Sequence, residues 1–163
     1  MKFRLTKFKA TLVSGLMFLG LGSMAQTAYF PYPQNKTYLG GIKPTNVTAT
    51  QMSDAAKASY ETWKSNFVTS SGACGFRRVK FDFYSGGLGK TDGSTTVSEG
   101  IAYGMLLSAY AADYSLFSDL WNYYKKNVNQ NGVMHWKIEN CGVVGANGAS
   151  DAELDVAMAL VVA

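Results

Sequence analysis

One histidine and two cysteines in 163 residues leave too few soft ligands for a transition-metal centre, since a structural zinc site needs four Cys or His side chains in paired spacing. No metal and no cofactor is expected, and His135 reads as a structural histidine rather than a ligand or base. Prolines are equally scarce: Pro31, Pro33 and Pro44 all fall between residues 26 and 50, beside Gly40-Gly41, so this stretch reads as an extended arm. Long apolar runs are missing too. The longest, Ala10 to Gly22, is shorter than the roughly 20 residues that span a bilayer.

Charge is also sparse, at 16% of residues, and its excess is local. Basic Met1 to Lys9, the apolar run, and small-residue Ser23-Met24-Ala25 have the order of an export leader, with cleavage expected after Ala25. Four of the 15 Lys and Arg residues, Lys2, Arg4, Lys7 and Lys9, lie in that leader, which leaves 11 basic residues against 11 acidic ones. A neutral chain lacks the clustered basic face that neutralises phosphates, so nucleic acid is an unsuitable partner. The expectation is a secreted or periplasmic monomer, free of the membrane once the leader is removed, with an uncharged partner. In an oxidising compartment Cys74 and Cys141 suit a single disulfide, with two unrelated free thiols as the alternative.

From Gln51 the pattern becomes helical, with Ala56, Tyr60, Trp63 and Phe67 on one face up to about Val68. Residues 76–83 are rich in β-formers and read as a short extended segment, followed by a polar loop to Thr96. A second helix is predicted over 98–113, with Ser98 as N-cap, and a third over 115–129. The short link makes those two antiparallel neighbours. Val133 to Ile138 is a further extended piece, and a glycine-rich loop, 141–149, leads to a fourth helix, where Ser150 and Glu153 have capping-box spacing. Short connections thus alternate with long ones, which in stacked helical hairpins gathers the long loops at one end. The last residues, Met158 to Ala163, carry no stop signal, and the chain reads as part of a longer one, with a complete small helical domain as the alternative.

Two carboxylates stand at helix starts on the long-loop end, Glu99 in Thr96-Val97-Ser98-Glu99-Gly100 and Asp151 in Gly148-Ala149-Ser150-Asp151. Acids there complement the helix dipole, which is a sufficient structural role. A second role stands open: burial and a neighbouring negative charge both raise a carboxyl pKa, and a protonated Glu beside an ionised Asp is the arrangement that protonates a glycosidic oxygen. Glu153 and Asp155 are the rival acids, Glu153 with a capping role and Asp155 one turn beyond Asp151 as its support. Trp63 and Trp121 lie on helical faces and read as core. Trp136, in an extended piece at the long-loop end, offers a flat face to a sugar ring.

Taken together, Ser98-Glu99-Gly100-Ile101-Ala102-Tyr103-Gly104-Met105, the Met134-His135-Trp136 segment, and Ser150-Asp151-Ala152-Glu153-Leu154-Asp155-Val156-Ala157 resemble the N-terminal part of glycoside hydrolase family 8 over residues 51–163. The resemblance implies an all-α fold, an (α/α)6 barrel of which this chain supplies about the first third, acting with inversion on β-1,4-linked polysaccharide such as cellulose, mixed-linkage glucan, xylan or chitosan. It implies Glu99 as general acid, Asp151 as the carboxylate that positions sugar and water, Trp136 as a stacking platform and Arg78 as a cleft-lining cation. The family's general base lies downstream of Ala163, so the chain alone is expected to be inactive. A noncatalytic carbohydrate-binding helical module and a purely structural exported protein are the competing readings.

Overall fold

The computed structural model describes residues 39–81 and 92–163. The leader, residues 26–38 of the arm, and residues 82–91 of the predicted strand and loop lie outside the described residues. The described chain is helix-rich with two small sheets. Helix α1 spans Ala49–Phe67, α2 Ser98–Tyr110, α3 Tyr114–Lys126 and α4 Ser150–Val162. Strands β1 (Val68–Thr69) and β2 (Arg78–Val79) pair antiparallel, and β3 (Thr95–Val97), β4 (Lys137–Glu139) and β5 (Gly142–Gly145) form a second antiparallel sheet in that order.

Helix α1 starts on a capping box that sequence reading passed over. The Thr48 hydroxyl accepts from the Gln51 amide at 3.2 Å, and the Gln51 side chain accepts from the Thr48 amide at 2.8 Å. No α1 residue is fully buried, and Tyr60, Trp63 and Phe67 cover the core from outside. The core lies between α2, α3 and α4, from Ile101, Met105, Leu116, Leu120, Tyr123, Met134, Ile138, Val156 and Ala159. Small residues bring these elements close. A Cβ on Gly104 would lie 2.8 Å from both Leu120 Cδ1 and Val79 Cγ2, so a side chain there would push α2 off its neighbours.

Two predicted caps are corrected. Neither Ser98 nor Ser150 is an N-cap: the caps are Val97 and Ala149, without a side-chain hydrogen bond at either. The cause at α2 is tertiary, because Val97 is still paired with Lys137 in the sheet and is extended at φ −115°, so the helix turns only at Ser98. Glu153 consequently falls four residues past its cap, out of reach of a capping box, and its carboxylate instead accepts a hydrogen bond from the Tyr124 hydroxyl in the last turns of α3. Burial, and after it the Glu153 hydrogen bond and charge, push the Tyr124 hydroxyl up to about 12.

The three-residue link between α2 and α3 reverses the chain through Ala112 at φ +56°, which ends α2 earlier than predicted. Asp113 then fixes the junction. One carboxylate oxygen caps α3 by accepting from the Leu116 amide at 3.1 Å, and the other accepts from the Tyr60 hydroxyl at 2.8 Å and from the Lys64 ammonium. Burial alone would raise the Asp113 carboxyl, but the Lys64, Leu116 and Tyr60 donors outweigh it and hold it below the ordinary carboxylate value. A carboxyl depressed on folding stabilises the fold above its unfolded value of about 3.9 and loses that contribution as pH falls through the folded value. Thermal stability is therefore expected to fall below about pH 4, and Asp113→Asn should lessen that fall. Melting temperature against pH for both proteins checks this; identical acid limbs would remove Asp113 as its source.

Candidate active site at the starts of α2 and α4

The starts of α2 and α4 emerge from the three-stranded sheet, and backbone hydrogen bonds lace them together. The Ser98 amide donates to the Trp136 carbonyl at 3.0 Å, and the Trp136 amide donates to the Asn147 carbonyl at 2.8 Å. Glu99 follows Ser98 directly, and Asp151 lies four residues after Asn147. Because α2 and α4 also pack against each other, the two acids stand at one end of the helix layer with Trp136 between their segments.

Glu99 is half-buried. The fully buried Ser98 donates its hydroxyl to Glu99 Oε2 at 3.3 Å, and no other described residue is hydrogen-bonded to that carboxyl. Tyr103, one turn on, is 55% exposed. Asp151 is exposed; its Oδ1 accepts from the Ala152 amide at 2.9 Å, and its Oδ2 meets no donor among the described residues. Both carboxyls thus keep an oxygen available to a ligand. The rivals differ: Glu153 is tied to Tyr124, and half-buried Asp155 makes no hydrogen bond to Asp151 among the described residues.

Trp136 is half-buried, and its indole lies against Gly145 of β5. A Cβ on Gly145 would fall 2.5 Å from Trp136 Nε1 and 2.8 Å from Lys137 Cβ. Gly145→Ala must therefore move the ring. The expected cost is about 1–3 kcal/mol of stability from overpacking and, where the ring is the sugar platform, a roughly tenfold rise in Kd for a cello-oligosaccharide, equivalent to about 1.4 kcal/mol. Calorimetric titration of the variant checks the second effect; unchanged affinity would show that the ring meets no sugar.

Arg78 is corrected. It is 1% exposed and does not line a cleft. Its guanidinium donates to the Ser71 carbonyl at 2.8 Å, the Thr95 carbonyl at 3.0 Å, the Thr96 hydroxyl at 2.9 Å and the Gly93 carbonyl. A planar fork with five donors suits this task, and a buried cation needs every one of them met. Arg78 holds β3 to β2 from within, and so supports the strand from which α2 and Glu99 start. Thr95 and Thr96, both fully buried, serve the same frame, with the Thr96 hydroxyl donating to the Val79 carbonyl at 2.9 Å.

No described cluster of three or more His, Cys, Asp or Glu side chains has the arrangement of a metal site, and no described helix is long and apolar enough to cross a membrane. A helix-rich frame thus carries two acids and an aromatic ring at one end. The sequence profile of glycosyl hydrolases family 8 matches residues 38–163, and the chain belongs to that family. It is 38% identical over 138 residues to Endoglucanase 2 of Ruminiclostridium josui, covering 82% of this chain and 28% of that protein. It is 40% identical over 138 residues to Endoglucanase A of Acetivibrio thermocellus, covering 80% of this chain and 27% of that protein. Among solved structures, the endo-beta-1,4-glucanase CMCax from Acetobacter xylinum superposes with a TM-score of 0.52 at 28% identity, over 66% of this chain and 31% of that one. The chain spans about a third or less of the length of the curated relatives it matches.

Proposed function

We propose that this chain is the acid-bearing part of an exported, monomeric, inverting endo-β-1,4-glucanase, with Glu99 as general acid, Asp151 as the carboxylate that positions the sugar and water, and Trp136 as a stacking platform. The observation that carries the reading is the lacing of Ser98, Trp136 and Asn147, which gathers both acids and the ring at one end of the helix layer. Glucan is favoured as substrate because the relatives carry endoglucanase and beta-glucanase names.

The pattern of the helices supports an (α/α)6 barrel with α2 and α4 in its inner ring. Both are predominantly apolar, with their acids confined to the first two turns, and keep Leu107, Leu154, Met158 and Val161 exposed, as suits helices to be covered on more than one face. Helices α1 and α3 are amphipathic and suit the outer ring. Inversion requires a second carboxyl, about 6.5–9.5 Å from the first, to activate water on the opposite sugar face. We place that base in the remainder of a longer protein, and so expect the 163 residues alone to be inactive.

Asp151→Asn in the full-length gene product tests the reading. Turnover in a reducing-sugar assay on carboxymethylcellulose is expected to fall by about 10²-fold or more, with the far-UV spectrum and melting temperature unchanged. Unaltered kinetics would return Asp151 to a helix-dipole role.

A further inference from the structure

His135 belongs to neither the acid pair nor the platform, yet its ring is the side chain that closes the bonded network between them. Its amide donates to the carbonyl of Asn127, the buried C-cap residue of α3, at 3.0 Å. Its Nδ1 accepts from the Asn147 amide at 3.0 Å. A backbone amide can only donate, so Nδ1 is unprotonated in this arrangement, and a neutral ring carries its proton on Nε2. Asn147 is thus gripped on both sides, with its amide on His135 and its carbonyl on the Trp136 amide at 2.8 Å.

That grip fixes a turn. The φ of Asn147 is +71°, in the left-handed region that asparagine enters more readily than other non-glycine residues, and hydrogen bonds on both its amide and its carbonyl hold the turn there. Two residues on, Ala149 caps α4 without any side-chain hydrogen bond, so the direction in which α4 leaves the sheet rests on the preceding backbone. The same turn sets Trp136 from one side, while the Ser98 amide sets it from the other.

We propose that His135 is a positioning residue: its Nδ1 latches the Asn147 turn, and through that turn holds Trp136 and the Asp151 end of α4 in register with Glu99. The proposal rests on the hydrolase reading only for its consequence in catalysis; the latch itself is a property of the fold. Without the latch, the Asn147 turn is held on its carbonyl side alone, and both the platform and the α4 start are freer to shift relative to α2. Displacement of this kind weakens sugar binding and turnover together.

Three variants separate the latch from mere bulk in the full-length gene product. In H135N, Oδ1 stands the same number of bonds from Cβ as Nδ1 and can accept the Asn147 amide. H135Q carries its amide one carbon further out, and H135L carries no acceptor. The readouts are hydrogen exchange of the 146–149 segment by mass spectrometry, kcat on carboxymethylcellulose, and calorimetric Kd for cellopentaose measured in a Glu99→Gln background so that the sugar is not consumed. H135L and H135Q are expected to speed exchange in that segment and to raise Kd by about tenfold, with H135N restoring both. A merely structural role would lower the folded fraction, and hence apparent kcat, while leaving Kd untouched.

Unchanged exchange in H135L would overturn the latch whether or not the protein is a hydrolase. Faster exchange with unchanged Kd would overturn the positioning role. Absence of turnover in the unmutated protein would sink the hydrolase reading alone, since exchange and Kd would still report the latch.

Discussion

Glu99→Gln in the full-length gene product is expected to lower kcat on carboxymethylcellulose by about 10²- to 10⁴-fold, the range that a positioned general acid contributes. The substitution keeps shape and hydrogen bonding while removing the transferable proton. Ser98 can still donate to the side-chain oxygen it now meets at 3.3 Å, so the start of α2 should not move. Binding of cello-oligosaccharide should therefore survive within a few-fold, and the loss should appear in kcat rather than in KM. Residual activity near the unmutated level would reject Glu99 as the acid.

The same substitution separates the competing readings. A noncatalytic binding module predicts no turnover to lose, and a structural role at the helix start predicts a stability change, because exchanging a carboxylate for an amide at the second helical position weakens the dipole interaction by about 0.3–1 kcal/mol. A glycosidase acid predicts the opposite split: a large kinetic effect on a protein that melts almost as before. Glucoside substrates with good leaving groups should suffer least, since they need little protonation to depart.

What could be read from the residues, and what could not, follows the range of the interactions. Helices α2, α3 and α4 were legible because their apolar spacing and flanking turns are local properties, and both acids were visible because the helix starts that bear them are marked by glycine and serine. The capping box at Thr48 and Gln51 was equally local and was overlooked beside the proline-bearing arm. Ser98 misled because the true cap of α2 depends on strand pairing: Val97 is held by Lys137, and no neighbour in sequence reveals that. Arg78 looked like a cleft cation because its partners, the carbonyls of Ser71, Gly93 and Thr95, leave no trace in composition or periodicity. The Tyr124–Glu153 contact and the His135–Asn147 latch are of the same kind, joining residues 29 and 12 positions apart. Side chains that act through distant backbone groups are the ones a local reading misses.

Loss of the disulfide is the second large effect expected. Cys74, in the loop between β1 and β2, is bonded to Cys141 in the turn between β4 and β5, across 67 residues that include α2 and α3. Closing a loop of that length restricts the unfolded chain, and the chain-entropy relation puts the stabilisation at about 4 kcal/mol, within the 2–5 kcal/mol commonly lost on removal. The bridge also joins the two sheets, one holding Arg78 and the other carrying the Trp136 side of the site. Both cysteines sit at positive φ, 56° and 68°, and a Cβ on Gly72 would fall 2.6 Å from Asn140 Oδ1, so the two loops are pressed against each other where the bridge forms. Replacing both cysteines by serine avoids a lone reactive thiol. Urea unfolding of the double variant should show a midpoint shift corresponding to about 4 kcal/mol, and dithiothreitol should destabilise the unmutated protein by a similar amount without affecting the variant. A loss below about 1 kcal/mol would mean that the pressed loops hold themselves together, and that the entropy of the open chain is already restricted by residual structure.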